Sequence, residues 1–105
     1  MINVLLYEQE NGHSPFADWF AGLDRQAAAK VTIADERLRL GNFSNIKGVG
    51  AGVQEYRINR GPGYRLYLGR DGDKLVILLT GGAKQRQNAD IERAKELWSE
   101  YKRRR

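Results

Sequence analysis

Along the chain, the spacing of apolar residues changes from every second position to every third or fourth and back, and these changes divide it into elements. In residues 2–8, INVLLYE, Ile2, Val4 and Leu6 fall on one side of an extended chain and Leu5 and Tyr7 on the other, which predicts a strand. The next stretch, HSPFADWFAGL, brings Phe16, Trp19, Phe20 and Leu23 into one helical stripe. Ser14 can cap that helix, and Pro15 suits a first helical position that needs no amide hydrogen. Asp24 is placed to cap a second helix, DRQAAAKVTIADERLRLG, with Ala27, Val31, Ala34 and Leu38 as its buried side and Gly41 as its end. So short a link predicts an antiparallel helix pair.

Residues 41–52, GNFSNIKGVGAG, carry glycines at 41, 48, 50 and 52 and no period, and read as a loop. Three strands are predicted beyond it. VQEYRINR and GYRLYLGR alternate, whereas DKLVILLTGG is apolar without a break from Leu75 to Leu79, the pattern of a strand covered on both faces. The links GPG and RDGD are turn sequences, so these strands should form an antiparallel meander. NADIERAKELWSEYKRRR closes the chain as a helix. Asn88 is its expected cap, Asp90 and Glu92 suit its positive end, and Lys102 to Arg105 suit its negative end. Ile91, Ala94, Leu97, Trp98 and Tyr101 form its apolar side, and the terminal KRRR is expected to fray. The order is β-α-α-β-β-β-α over a single domain, residues 1–105: an α+β fold with a small, mainly antiparallel sheet packed by helices.

Composition narrows the partner. With 41% hydrophobic and 30% charged residues the chain is a folded domain, and its 105 residues fill one core. No apolar run approaches the roughly 20 residues that cross a bilayer. MINVLLYEQE has neither a basic start nor a small-residue cleavage site, so it does not read as a signal peptide. The absence of cysteine and of a targeting segment points to the cytoplasm. With no cysteine, one histidine and scattered acids, neither a metal nor a cofactor is expected. Eighteen Lys and Arg against thirteen Asp and Glu leave a charge of +5, which favours a polyanion, nucleic acid first.

Where the cations fall matters more than their sum. Glu55, Arg57 and Asn59 share one strand face, and Arg65 and Tyr67 share one on the next strand. A three-residue loop at Gly61-Pro62-Gly63 would pair Asn59 with Arg65 and Arg57 with Tyr67, uniting both polar sets; a four-residue loop would send Arg65 to the other face. The united arrangement is preferred because it also gathers Tyr56, Ile58, Tyr64, Leu66 and Leu68 on one apolar side. Lys47 from the glycine-rich stretch, and Lys84 and Arg86 behind Gly81-Gly82, would enlarge the patch. Arginines pair with phosphate oxygens and aromatic rings stack on unpaired bases, so the set suits RNA. It also suits metal-free cleavage, in which a base takes the 2′-hydroxyl proton and cations stabilise the phosphate under attack. Plainer roles stay open. Arg57 and Arg65 as solvated residues paired with Glu55, and Tyr64 and Tyr67 as sheet packing, fit the same spacing. The glycines at 48, 50 and 52 lack the Gly-Lys-Ser/Thr of a phosphate loop. His13 reads as surface, the KRRR tail as a solvated helix end, and Trp19 and Trp98 as core or partner-facing.

The segments GNFSNIKGVGAGVQEYRI, GPGYRLYLG and LLTGGAKQRQNADI resemble the small toxins of the RelE/ParE superfamily of type II toxin–antitoxin modules, most closely the HigB-like branch called addiction module killer proteins. The resemblance spans nearly the whole chain. It implies a RelE-like fold and a ribosome-dependent mRNA endonuclease that works in the ribosomal A site by 2′-hydroxyl attack. It further implies Arg65 as the phosphate-contacting arginine, Arg57 and Lys84 as active-site cations, and Glu55 where some members carry a base and others a lysine. Lys47, Tyr67 and Arg86 would touch RNA. RQNADIER lacks the tyrosine or histidine that some members use in acid–base chemistry, and Lys84 is the nearest candidate acid. A helix-turn-helix antitoxin is the implied partner. A ParE-like gyrase poison, or a non-catalytic RNA- or protein-binding module, are the alternatives on the same scaffold.

Overall fold

Two helices begin where the sequence supplies capping side chains. Ser14 Oγ accepts the Ala17 amide at 3.1 Å to open α1 (Pro15–Ala21), and Asp24 Oδ1 accepts the Ala27 amide at 2.8 Å to open α2 (Arg25–Arg39). Ala27, Val31, Ala34 and Leu38 are the buried side of α2, as their spacing predicts. The computed structural model describes residues 1–58, 61 and 63–105. Before the helices lies β1 (Asn3–Leu6); after them come β2 (Ile46–Gly50), β3 (Val53–Ile58), β4 (Tyr64–Arg70) and β5 (Leu75–Ala83). A 3-10 turn, Lys84–Arg86, leads into α3 (Gln87–Arg104).

The strands make one sheet in the order β1-β5-β4-β3-β2, with β1 parallel to β5 and every other pair antiparallel. Helices cover both faces. On one side Tyr56, Ile58, Leu66, Leu68, Val76 and Leu78 pack with Phe16 of α1 and Val31, Ala34 and Leu38 of α2. On the other, Val53, Tyr67, Ile77 and Leu79 pack with Ala94, Leu97 and Trp98 of α3. The unbroken apolar run in β5 is thus required by the sheet, since its alternate residues enter two different cores.

Several expectations are corrected. Residues 46–50 are a strand, so the order is β-α-α-β-β-β-β-α. This edge strand gains its backbone partners from β3 and bulges between Gly48 and Gly50, which is why it shows no alternation. The glycines that disguised it serve the turn, where Gly50, Ala51 and Gly52 have φ of 106°, 54° and 82°. The final helix starts at Gln87 out of the 3-10 turn, so Asn88 is inside it and is not the cap. The helix pair is opened by a groove of about 330 Å³ lined by Phe16, Phe20, Val31 and Leu6. The terminal arginines are tied down: Arg104 donates to the Glu8 carbonyl at 2.8 Å, and Arg105 to Asp71 at 2.6 Å. No helix among the described residues is long and apolar enough to cross a membrane.

Register decides the site. Ile58 pairs with Tyr64 and Arg57 with Arg65, two residues away from the Arg57–Tyr67 pairing expected of a three-residue loop. A shift of two preserves the face. Glu55, Arg57, Arg65 and Tyr67 therefore do share a side of the sheet. Asn59 and Pro62, placed on this hairpin from the sequence, lie outside the described residues.

Candidate functional site

Directly paired residues on neighbouring strands point the same way. One row across the sheet reads Lys47, Glu55, Tyr67 and Thr80; the next reads Arg57, Arg65 and Gly82. Two arginines thus stand opposite one another on adjacent strands, an arrangement that costs energy unless an anion lies between them.

Glu55 supplies that charge. It is fully buried, and its Oε1 accepts Arg57 Nε at 3.0 Å. Its Oε2 accepts Gln87 Nε2 from the first turn of α3 at 3.2 Å and lies 3.7 Å from Arg65 Nε. The last contact is an ion pair without a hydrogen bond, since Arg65 Nε has no hydrogen-bond partner among the described residues. Arg65 is held by Nη1, which donates to the Gly63 carbonyl at 2.7 Å. Its side chain is 9% exposed against 40% for Arg57, so Arg65 is the floor of the cluster and Arg57 its rim. One carboxylate between two guanidiniums leaves the pair with net positive charge.

The remaining expected residues divide. Lys84 is exposed beside Arg65: a Cβ on Gly63 would lie 3.4 Å from Arg65 Nη1 and 3.5 Å from Lys84 Cβ. Lys47 is exposed next to Glu55 on the edge strand, and Arg86 is exposed in the 3-10 turn. Tyr67 departs from its expected role as an RNA contact. Its ring is fully buried under α3, because its row lies where the helix covers the sheet, so it packs and does not offer a stacking surface. Its hydroxyl is unpartnered among the described residues and its pKa is pushed up to about 12, chiefly by burial and then by the charges of Glu55 and Asp90, with Arg65 opposing. Glu55, expected in the active site, is sealed from solvent with both oxygens engaged, and in this structure it braces the arginines. His13 is at the surface as expected, 2.8 Å from Asp18.

Two residues of α3 join the cluster unannounced. Gln87 holds Glu55, and Asp90 lies over Gly82, where a Cβ would collide with Asp90 Oδ2. In the sequence Asp90 reads as a helix-dipole residue. The signal that places it at the site is Gly82, the strand neighbour of Arg65, whose missing side chain makes the room. Burial raises the pKa of Asp90, against the pull of Arg86, and its Oδ2 is enclosed without a hydrogen-bond partner among the described residues.

A groove of about 480 Å³ meets the cluster at Arg57 and runs between β3 and α2, with Lys30, Arg37 and Asn45 on its sides and Ile33 and Tyr56 in it. Its lining carries three cations and no acid. Arginine, lysine and apolar surface in one channel suit an extended polyanion with exposed bases.

An uncharacterized protein of Haemophilus influenzae is 45% identical to the chain over 86 residues, covering 81% of this chain and 87% of the relative. No family model matches the sequence.

Proposed function

The chain belongs to the same family as the Haemophilus influenzae protein, and we propose that it is the toxin of a type II toxin–antitoxin module, built on a RelE-like fold, that cuts mRNA on the ribosome. The observation that carries this reading is the cross-strand pair Arg57–Arg65 around a single buried carboxylate. That pair has charge to spare and is anchored on rigid strands, as a group that stabilises a phosphate under attack must be. In this reading Arg65 holds a non-bridging oxygen of the scissile phosphate, Arg57 reaches it from the rim, and Lys84 stands beside it. Glu55 and Gln87 orient the guanidiniums. RNA contains its own nucleophile, so the protein need supply only position, charge and proton transfer. The groove along α2 meets the pair at Arg57 and adds Lys30 and Arg37, while exposed Lys47 and Arg86 supply further cations for RNA. A helix-turn-helix antitoxin would neutralise the toxin by covering basic or apolar surface, and the groove between α1 and α2, with exposed Leu6 in its lining, offers apolar anchors.

A ParE-like gyrase poison is the competing reading. The buried charge arrangement favours the nuclease, because binding alone does not need an arginine pair held against a fully buried acid. Inducible expression, with and without the neighbouring gene, tests the choice by following translation, transcript integrity and the DNA-damage response together. Cuts inside translated frames are expected. An early damage response with intact transcripts would select the gyrase reading, and harmless expression would select a non-toxic binding module.

A further inference from the structure

The reaction proposed for the arginine pair needs a group that removes the 2′-hydroxyl proton, and the expected one, Glu55, is sealed in and occupied by Arg57 and Gln87. Tyr67 is fully buried, and its phenolate would sit in the core. His13 is engaged with Asp18 on the surface. Asp90 differs from all three. It is only partly buried, it projects from the first turn of α3, and its carboxyl occupies the space over Gly82, the residue paired with Arg65. The charges of Glu55 and Asp90 both raise the pKa of the Tyr67 hydroxyl, and Arg65 opposes them. Arg65 Nε, Tyr67 OH and Asp90 Oδ2 are each enclosed without a hydrogen-bond partner among the described residues. Buried polar groups are ordinarily hydrogen-bonded, so three left open around the arginine pair call for a role beyond packing.

Resting on the RNA-cleaving reading, we propose that Asp90 is the proton acceptor of the cluster and Lys84 its proton donor. The 2′-oxygen bonds to phosphorus as its proton passes to the Asp90 carboxylate. The bond from phosphorus to the 5′-oxygen breaks as a proton from the Lys84 ammonium passes to that oxygen. The products are a 2′,3′-cyclic phosphate and a 5′-hydroxyl, with Asp90 neutral and Lys84 uncharged until solvent restores them. Desolvation strengthens the carboxylate as a base, since it raises the affinity of Asp90 for a proton toward the working pH. The Asp90 carboxyl lies over Gly82 of β5, Arg86 of the 3-10 turn is the cation that acts on it, and its charge is felt in turn by the Tyr67 hydroxyl of β4. Arg86 opposes the shift, so the acidic limb of the rate profile should lie above the ordinary aspartate range and move further up in Arg86→Ala.

The test is single-turnover cleavage of a short mRNA on programmed ribosomes by the full chain, Asp90→Asn, Gly82→Ala and Lys84→Ala. Each is assayed with an ordinary substrate and with one carrying sulfur in place of the 5′-oxygen, a leaving group that needs no proton. Asp90→Asn is expected to slow the cutting step about a hundredfold or more while mRNA binding is unchanged. Sulfur should leave that defect in place yet restore Lys84→Ala. Gly82→Ala, which displaces the Asp90 carboxyl, should reproduce part of the Asp90→Asn loss. Wild-type-like cutting by Asp90→Asn, or its rescue by sulfur, would overturn the assignment while the nuclease reading stands. A wild-type chain that cuts nothing would overturn both.

Discussion

Glu55 shows how one buried side chain can hold several others in place. A buried acid is tolerated only when paired, and here two guanidiniums and an amide from three different elements converge on it. Glu55→Ala is expected to destabilise the fold by about 3 kcal/mol, because Arg65, itself largely buried, loses its counter-charge. Glu55→Gln keeps the shape and part of the hydrogen bonding and should lose less; urea unfolding of the two variants measures the difference. Asp90 is the opposite case, an acid whose burial is not repaid. Because its pKa in the folded chain is raised, its contribution to stability is full below the unfolded value and is lost as pH rises through the raised one. Asp90→Asn should therefore melt above wild type at neutral pH, with the gap closing toward acid. A thermal melt series across pH checks the sign. A residue that weakens the fold it sits in is the kind kept for chemistry.

Among the elements, glycines on the strands set how closely helices approach. A Cβ on Gly69 would collide with the Trp98 ring of α3, and one on Gly81 with the Trp19 ring of α1. Gly69→Ala should cost about 1–3 kcal/mol through overpacking, read as a lowered unfolding midpoint. The first contact lets α3 approach β4 closely, and the same helix carries Gln87 to Glu55 and Asp90 over Gly82. Much of this was legible in the sequence. Ser14 and Asp24 mark helix starts by chemistry local to each cap, and Ala27, Val31, Ala34 and Leu38 mark the buried side of α2 by spacing. The shared face of Arg57 and Arg65 was preferred because it gathers the apolar residues on one side, although the three-residue loop behind that preference gives a pairing two residues from the one found. The edge strand Ile46–Gly50 was not legible, since its pairing with β3 is tertiary and its own residues carry no period. Burial of Tyr67 and Glu55 was hidden for a related reason: alternation gives a face, but which part of that face a helix covers depends on packing between elements distant in the chain.

Taken as one body, the molecule puts helices on both sides of the sheet, with Arg57 and Arg65 paired near one end of the strands and Lys30 and Arg37 along the groove beside α2. Binding to a single-stranded polyanion should fall steeply with salt, since each phosphate neutralised releases counterions. Arg37→Ala, in the groove and away from the arginine pair, is expected to weaken binding of a non-cleavable 2′-deoxy oligonucleotide. It should also flatten the plot of log affinity against log salt by about 0.7, while leaving the cutting step of bound mRNA intact. Equal salt slopes for wild type and variant would remove that groove from the RNA path.

The decisive measurement is the chemistry of the ends left on an mRNA incubated with programmed ribosomes and the purified chain in the presence of a chelator, beside the same reaction with Arg65→Ala of verified fold. The paired arginines predict new 2′,3′-cyclic phosphate and 5′-hydroxyl ends within the translated frame for wild type and none for the variant. Intact mRNA with wild type, or undiminished cutting by a folded Arg65→Ala chain, would contradict them.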